Sequence, residues 1–243
     1  MDTDLASRKS LDSLNSLYDL NLFQINSMDR LVDPEVNLTS NYIRSKYYTP
    51  HSFSQHVINK QFASNLSFLH TNIRSLKKNF EDLQHHVLNE VNVHFTIIGV
   101  TETRIREGDS VNLSLIPELP GYRFEFVPTP LAAGGVGLFI DENVKYRIVE
   151  RVTNSSYQAL WIEFQQSNDK KNTCGIVYRQ HNDANEFLDY LSESLERFNR
   201  HNHNIYLMGD FNIDLLKYEN CTYSQALLHC TQSFSMLPVL DKP

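Results

Sequence analysis

Apolar and polar positions along this chain follow two different periods, and the changes between them mark its elements. Leu66-Ser-Phe-Leu-His-Thr-Asn72 is an apolar run of strand length with a polar tip. Ile73-Arg-Ser-Leu76 then leads into a segment whose Phe80, Leu83, Val87 and Leu88 share one face at helical spacing. His94-Phe-Thr-Ile-Ile-Gly-Val100 is a second strand-length run and ends in Thr101-Glu102-Thr103. Shorter, turn-rich segments follow: Gly121 to Val127 with a period of two, Gly134 to Ile140, Tyr146 to Val152, Ala159 to Phe164 and Cys174 to Tyr178. Regularly spaced short strands of this kind predict mainly antiparallel sheets packed face to face. Helical periodicity returns between Asp183 and Asn199, with Phe187, Tyr190, Leu191, Leu195 and Phe198 on one face. The run Asn204 to Met208 predicts a last strand, Tyr223 to Phe234 a helix, and Met236 to Leu240 an extended piece.

Residues 1–60 differ from the rest and are expected to form an N-terminal arm, partly disordered, ahead of a domain spanning 61–243. Leu11, Leu14, Leu17 and Tyr18 recur at helical intervals, but Ser, Asn and Asp crowd between them, which leaves a short amphipathic helix and a disordered tail both open. Tyr42, Tyr47, Tyr48 and Phe53 enrich the end of the arm in aromatic surface, so that part is expected to lie against the following domain.

Composition narrows the function classes. No apolar run approaches the ~20 residues of a membrane span, and no basic start followed by an apolar stretch marks a secretory signal. An intracellular protein, not secreted and without a membrane partner, is expected. The three cysteines, Cys174, Cys221 and Cys230, have no metal-type spacing and are expected to be reduced thiols. The formal charge of -7 opposes nonspecific polyanion binding, so a nucleic-acid substrate requires local cationic groups or bound cations.

Polar residues stand at the ends of the apolar runs. Asn72 and Glu102 terminate the first two, Tyr178 closes a later one, and Gly209-Asp-Phe-Asn-Ile-Asp214 follows the last. Residues i and i+2 of an extended chain point the same way, so Asp210 and Asn212 are expected to face one pocket while Phe211 turns into the core. A turn explains Gly-Asp-Phe-Asn equally well when it is taken alone. Gly134-Gly-Val-Gly137 lacks the Lys-Ser/Thr of a phosphate-binding loop and precedes no helix, so it reads as a tight bend between strands. His201-Asn-His203 has no accompanying carboxylate or cysteine and reads as a solvated turn rather than a metal site.

The ordered set Asn, Glu, Tyr, Asp-X-Asn resembles the endonuclease/exonuclease/phosphatase superfamily, and within it the apurinic-type endonuclease domain of non-LTR (LINE-type) retrotransposons. The resemblance rests on Leu69-His-Thr-Asn-Ile-Arg-Ser-Leu76, Ile98-Gly-Val-Thr-Glu-Thr103, Gly134-Gly-Val-Gly-Leu138, Gly175-Ile-Val-Tyr-Arg179 and Leu207-Met-Gly-Asp-Phe-Asn-Ile-Asp214, and covers roughly residues 46–243. It implies an α/β fold, a four-layer α/β sandwich of two packed, mainly antiparallel sheets flanked by helices, with the site at the strand ends. It implies that Glu102, helped by Asn72, holds Mg²⁺ or Mn²⁺; that Asp210 orients or deprotonates the attacking water; that Asn212 fixes water or phosphate; and that Tyr178 donates to a phosphate oxygen. DNA is the implied substrate and a reverse transcriptase module the implied partner, with a nuclear location. Arg74 and Arg179, beside two of the tips, are either phosphate contacts or ordinary surface arginines.

One departure from the family pattern concerns the end of the chain. The family carries further strands and a late Ser-Asp-His element, and this chain reaches Leu240-Asp-Lys-Pro243 without one. The expectation is therefore a truncated domain lacking its last strands, weak or inactive as it stands. Two other readings share the fold: a non-catalytic interaction remnant, and a phosphodiesterase acting on phospholipid or inositol phosphate.

Overall fold

The computed structural model describes residues 21–23, 46, 48–60, 66–108, 117–165, 171–200 and 203–239. Its strands are β1 (Asn21–Phe23), β2 (Phe68–Asn72), β3 (Ile97–Thr101), β4 (Tyr122–Val127), β5 (Val136–Asp141), β6 (Lys145–Thr153), β7 (Tyr157–Gln165), β8 (Lys171–Arg179) and β9 (Asn204–Asp210). The helices are α1 (Pro50–Lys60), α2 (Leu76–Gln84), α3 (Asn185–Asn199) and α4 (Thr222–Ser233). A π-helical segment, His85–Val91, extends α2, and a 3₁₀ helix, Leu215–Asn220, precedes α4. Among these residues no helix is long and apolar enough to cross a membrane.

The strands form two sheets, in the orders β1-β2-β3-β5-β4 and β6-β7-β8-β9. Most pairs are antiparallel, but each sheet contains one parallel pair, β2 with β3 and β8 with β9. A parallel pair needs a crossover connection. The α2 helix with its π-helical extension supplies it in the first sheet and α3 in the second. In consequence Asn72 lies beside Thr101 in one sheet and Tyr178 beside Asp210 in the other, each pair at carboxyl ends of strands. Ligands in α/β sheets gather at such ends.

Period-two alternation sends alternate residues of each sheet to different layers. Phe68, Ile97, Val136, Leu138 and Ile140 of the first sheet meet Leu160, Ile162, Phe164, Ile176 and Met208 of the second, forming the inter-sheet core. The first sheet's other face carries Leu69, Ile98, Val100 and Phe139, covered by Leu76, Phe80, Leu83, Val87 and Val91. The second sheet's other face carries Ala159, Trp161 and Val177, covered by Phe187, Leu191, Leu195 and Phe198 of α3. Helix, sheet, sheet, helix is the four-layer sandwich the resemblance implies. Burying a side chain of this size contributes about 1.5–3 kcal/mol, so these three clusters hold the sheets in register.

Several segments add to or depart from the expectations. The α1 helix precedes residue 61, yet its Phe53 is buried in the outer core of the first sheet with Val57 packed beside it. The Tyr48 ring lies 4.9 Å from that of His56, tilted against it, while Leu11 to Tyr18, Tyr42 and Tyr47 lie outside the described residues. The side chain of Leu88 also lies outside them. His203 does not sit in a solvated turn. Its imidazole is 7% exposed, meets Thr173 Oγ1 at 2.9 Å and approaches Glu163 at 4.0 Å, because the crossover into β9 lays it against the ends of β7 and β8. His201 lies outside the described residues.

Candidate active site

Asp210 ends β9, and its position depends on the glycine before it. A Cβ on Gly209 would lie 2.1 Å from the Val177 carbonyl oxygen, and the residue has φ +151°. The missing side chain lets β9 close against β8, which puts Asp210 level with Tyr178. Beyond it the chain turns sharply at Asn212, whose φ of 49° is one that asparagine tolerates better than most residues. The Asn212 backbone N–H donates to Asp210 Oδ1 at 3.1 Å, and its side-chain amide donates to the Arg179 carbonyl. Phe211 packs toward α3, its ring 6.0 Å from that of Phe187.

Glu102 is held by an equally unusual turn. Glu102 and Arg104 adopt φ values of 52° and 55°, and such left-handed backbone at non-glycine residues costs on the order of 1 kcal/mol each. Neighbouring backbone bonds pin the turn. Thr103 N–H donates to the Gly135 carbonyl at 3.2 Å, Arg104 N–H to the Gly134 carbonyl at 2.9 Å, and Leu76 N–H to the Thr103 carbonyl at 3.0 Å. The Gly-Gly bend is thus a bracket for Glu102 as well as a strand connection. It is fixed in turn by the fully buried Gln158, whose Oε1 accepts from Gly135 N–H at 3.1 Å, and by Gln180 Nε2, which donates to the Ala133 carbonyl at 3.0 Å.

The two carboxylates meet at Asn72. Its Nδ2 donates to Glu102 Oε1 and to Asp210 Oδ2, each at 2.9 Å, so the two oxygens are no farther apart than twice that length. Asn72 Oδ1 faces away and accepts from the Arg74 N–H at 3.2 Å. Tyr178 is buried beside them, its hydroxyl pushed up from the ordinary tyrosine value first by burial and then by the charges of Glu102 and Asp210, with Asn212 opposing. It therefore stays protonated and able to donate at neutral pH. Beneath the site His70 contacts Thr101 Oγ1 at 3.3 Å, and burial lowers its pKa to about 4, so the imidazole is neutral there.

All five strand-tip residues expected from the sequence come together, although 138 positions of chain separate Asn72 from Asp210. Arg74 is exposed on the rim. Arg179 is not there for phosphate. Only 4% exposed, it donates from Nε to the Phe211 carbonyl at 2.7 Å, from Nη1 to Asn182 at 2.6 Å and from Nη2 to Asn212 at 2.6 Å. Three backbone carbonyls occupy the fork that a phosphate would need. Arg104, an ordinary surface residue by sequence, does reach the site: its half-exposed guanidinium donates to Glu102 Oε2 at 3.2 Å. The only trace of it in the sequence was its place two residues after Glu102.

A model of the Endonuclease/Exonuclease/phosphatase family matches residues 65–233. The chain belongs to that family. Among solved structures of the same fold, AP endonuclease LMAP from Leishmania major aligns with TM-score 0.56 at 13% identity, over 81% of this chain and 76% of that one. An endonuclease/exonuclease/phosphatase family protein from Bacteroides thetaiotaomicron aligns with TM-score 0.49 at 14% identity, over 68% and 66%. The catalytic domain of Xenopus laevis APE2 aligns with TM-score 0.46 at 15% identity, over 67% and 66%. This chain thus spans just under two thirds of the last two. At these identities the likeness to the Leishmania enzyme concerns the fold. No curated protein sequence matches the chain.

Enzymes of this family generally use divalent metals, and the donor set here suits one of that kind. Two carboxylates share a single amide donor, and like charges so close call for a cation. Among the described residues no group of three or more His, Cys, Asp or Glu side chains forms a metal cage. Mg²⁺ needs none, since it is commonly bound by one or two carboxylates with waters and substrate phosphate completing the shell. Asn72 departs from the ligand role implied for it, because its oxygen is turned to the Arg74 N–H. In this arrangement its nitrogen braces the carboxylates, and Glu102 and Asp210 are the residues whose oxygens would hold such a cation.

The Arg179 clamp makes a prediction that is independent of chemistry. Arg179→Met keeps the length of the side chain but leaves three carbonyls without donors, and is expected to lower stability by about 3 kcal/mol. Arg179→Lys, with one ammonium in place of the fork, is expected to recover only part of that. Denaturant unfolding measures both, and a methionine variant of parental stability would contradict the clamp.

Proposed function

We propose that this protein is a divalent-cation-dependent DNA endonuclease domain of the type carried by non-LTR retrotransposons, acting in the nucleus and leaving a 3′-hydroxyl for a reverse transcriptase module of the full-length element. The observation that carries this reading is the amide of Asn72 joining the carboxylates of Glu102 and Asp210, with Tyr178 and Asn212 alongside. Asp210, oriented by the Asn212 backbone and Asn72, accepts the proton of the attacking water. Tyr178, protonated, donates to a phosphate oxygen as negative charge develops. Glu102 and Asp210 would hold Mg²⁺ or Mn²⁺, which would supply neutralisation of the charge on the scissile phosphate. The wording of Leu69–Leu76 and Leu207–Asp214 supports a retroelement nuclease over a phospholipid or inositol-phosphate phosphodiesterase.

Supercoiled plasmid incubated with excess protein tests the reading, since single-turnover conditions register even a slow hydrolase. Open circles are expected with Mg²⁺, but not with a chelator and not from Glu102→Gln. A folded protein that gives no cation-dependent nicking would overturn the proposal. Release of phosphate from an inositol phosphate instead would move the substrate class.

A further inference from the structure

Gln158, Tyr178 and Asp210 are neighbours in one cross-strand row on β7, β8 and β9. Two members of that row reach across to the Glu102 side of the site. Asp210 does so by accepting from Asn72 Nδ2, which also donates to the Glu102 carboxylate. Gln158 does so through backbone. Its Oε1 accepts from the Gly135 N–H at 3.1 Å, and the carbonyls of Gly135 and Gly134 accept from the Thr103 and Arg104 N–H groups that follow Glu102. For packing alone an apolar residue would serve at 158, as Leu160 and Ile162 do farther along the same strand. Instead a fully buried amide stands there, its Nε2 committed to the Asn154 carbonyl at 2.7 Å.

The turn this amide secures needs an outside constraint. Glu102 and Arg104 hold φ values of 52° and 55°, and such backbone persists only where neighbouring contacts over-determine it. The bend that pins it is Gly134-Gly135, at φ +109° and +84°, with no side chains of its own to fix it. Both amides of the second sheet press on that bend: a Cβ on Gly134 would lie 2.5 Å from Gln158 Oε1 and 2.9 Å from Gln180 Nε2. Resting on the cation-dependent reading above, we propose that Gln158 is a positioning residue, which through Gly135 and the Glu102 turn fixes the separation of Glu102 from Asp210 and thereby makes the site select Mg²⁺ over Ca²⁺. Mg²⁺ demands near-ideal octahedral geometry, whereas Ca²⁺ accepts a looser and larger shell.

The test is titration of Mg²⁺ and of Ca²⁺, separately, into the protein without DNA, followed by calorimetry. Gln158→Met keeps the length of the side chain and removes both hydrogen bonds; it is expected to weaken Mg²⁺ binding about tenfold or more, the scale for residues that orient ligands from behind. Its Ca²⁺ binding is expected to weaken about threefold or less. Ile162→Val loosens the core under the same strand without touching the bend, and is expected to leave both affinities unchanged. Gln180→Met, at a partly exposed position where folding is not at stake, is expected to weaken Mg²⁺ more than Ca²⁺ and decides the matter if Gln158→Met does not fold. Hydrogen exchange in chelator reads the turn without any cation: the Thr103 and Arg104 amides are expected to exchange faster in Gln158→Met and at the parental rate in Ile162→Val. Equal losses for the two cations, parental exchange in a folded Gln158→Met, or the same changes in Ile162→Val would overturn the proposal while leaving the cation-dependent reading intact. A parent protein that binds neither cation refutes that reading and the selectivity with it, and exchange then decides whether Gln158 holds the turn.

Discussion

Asp210→Asn is expected to reduce cation-dependent plasmid nicking by a factor on the order of 10³ or more, the scale seen when one member of a cooperating catalytic set is removed. The substitution preserves shape and changes charge. In the parent, Oδ1 accepts from the Asn212 N–H and Oδ2 from Asn72 Nδ2. An amide at 210 must turn its own donor toward one of them, and it can neither take a proton from water nor offer a divalent cation a negative charge. Melting separates this from unfolding, because Asp210 is only half-buried. A well-folded variant that nicks at a tenth of the parental rate or better would remove Asp210 from the chemistry and leave Glu102 as the sole carboxylate of consequence.

Gly209→Ala should have the largest effect on stability, about 4 kcal/mol or more, in the range that signals a specific structural clash. The added carbon would meet the oxygen, carbon and nitrogen of Val177 at 2.1, 2.9 and 3.0 Å. All three are backbone atoms of the neighbouring strand, which no side-chain rotation relieves. The parallel pairing of β8 and β9 has to open there, in the register that sets Tyr178 beside Asp210. For a domain of this size the loss corresponds to a fall in Tm of roughly 10 °C or more. A variant that melts like the parent would show that the close approach of the two strands is not required.

The two predictions touch different kinds of information. The ending of strands at or beside Asn72, Glu102, Tyr178 and Asp210 was readable from the apolar runs, whereas Asn212 comes back to Asp210 through a left-handed turn and not through the extended alternation its spacing suggested. Their chemistry-bearing order was legible too, and it carried the family. Arg179 shows where such reading stops. An arginine next to a strand-end tyrosine looks like a phosphate contact until the loop at 211–212 folds back and presents its carbonyls. Arg104 is the converse, an ordinary surface residue in the sequence that a left-handed turn brings onto Glu102. His203 likewise gained its cover from β7 and β8, which precede it by some 30 residues or more.

By itself the amino-acid order determined most of the strands and helices between residues 66 and 234, the faces they bury and the polar residues that end them, because each of these follows from local period and local composition; the helix Pro50–Lys60 was not among them. Tertiary structure alone decided which of those ends meet and which way each polar atom points: the nitrogen of Asn72 toward the carboxylates, the fork of Arg179 toward backbone. The physical reason lies in two parallel crossovers that bring distant strand ends to one edge, and in positive φ angles at Arg74, Ser75, Glu102, Arg104 and Asn212. Residues with side chains adopt such angles only where surrounding contacts hold them there, so nothing in their identity announces it in advance.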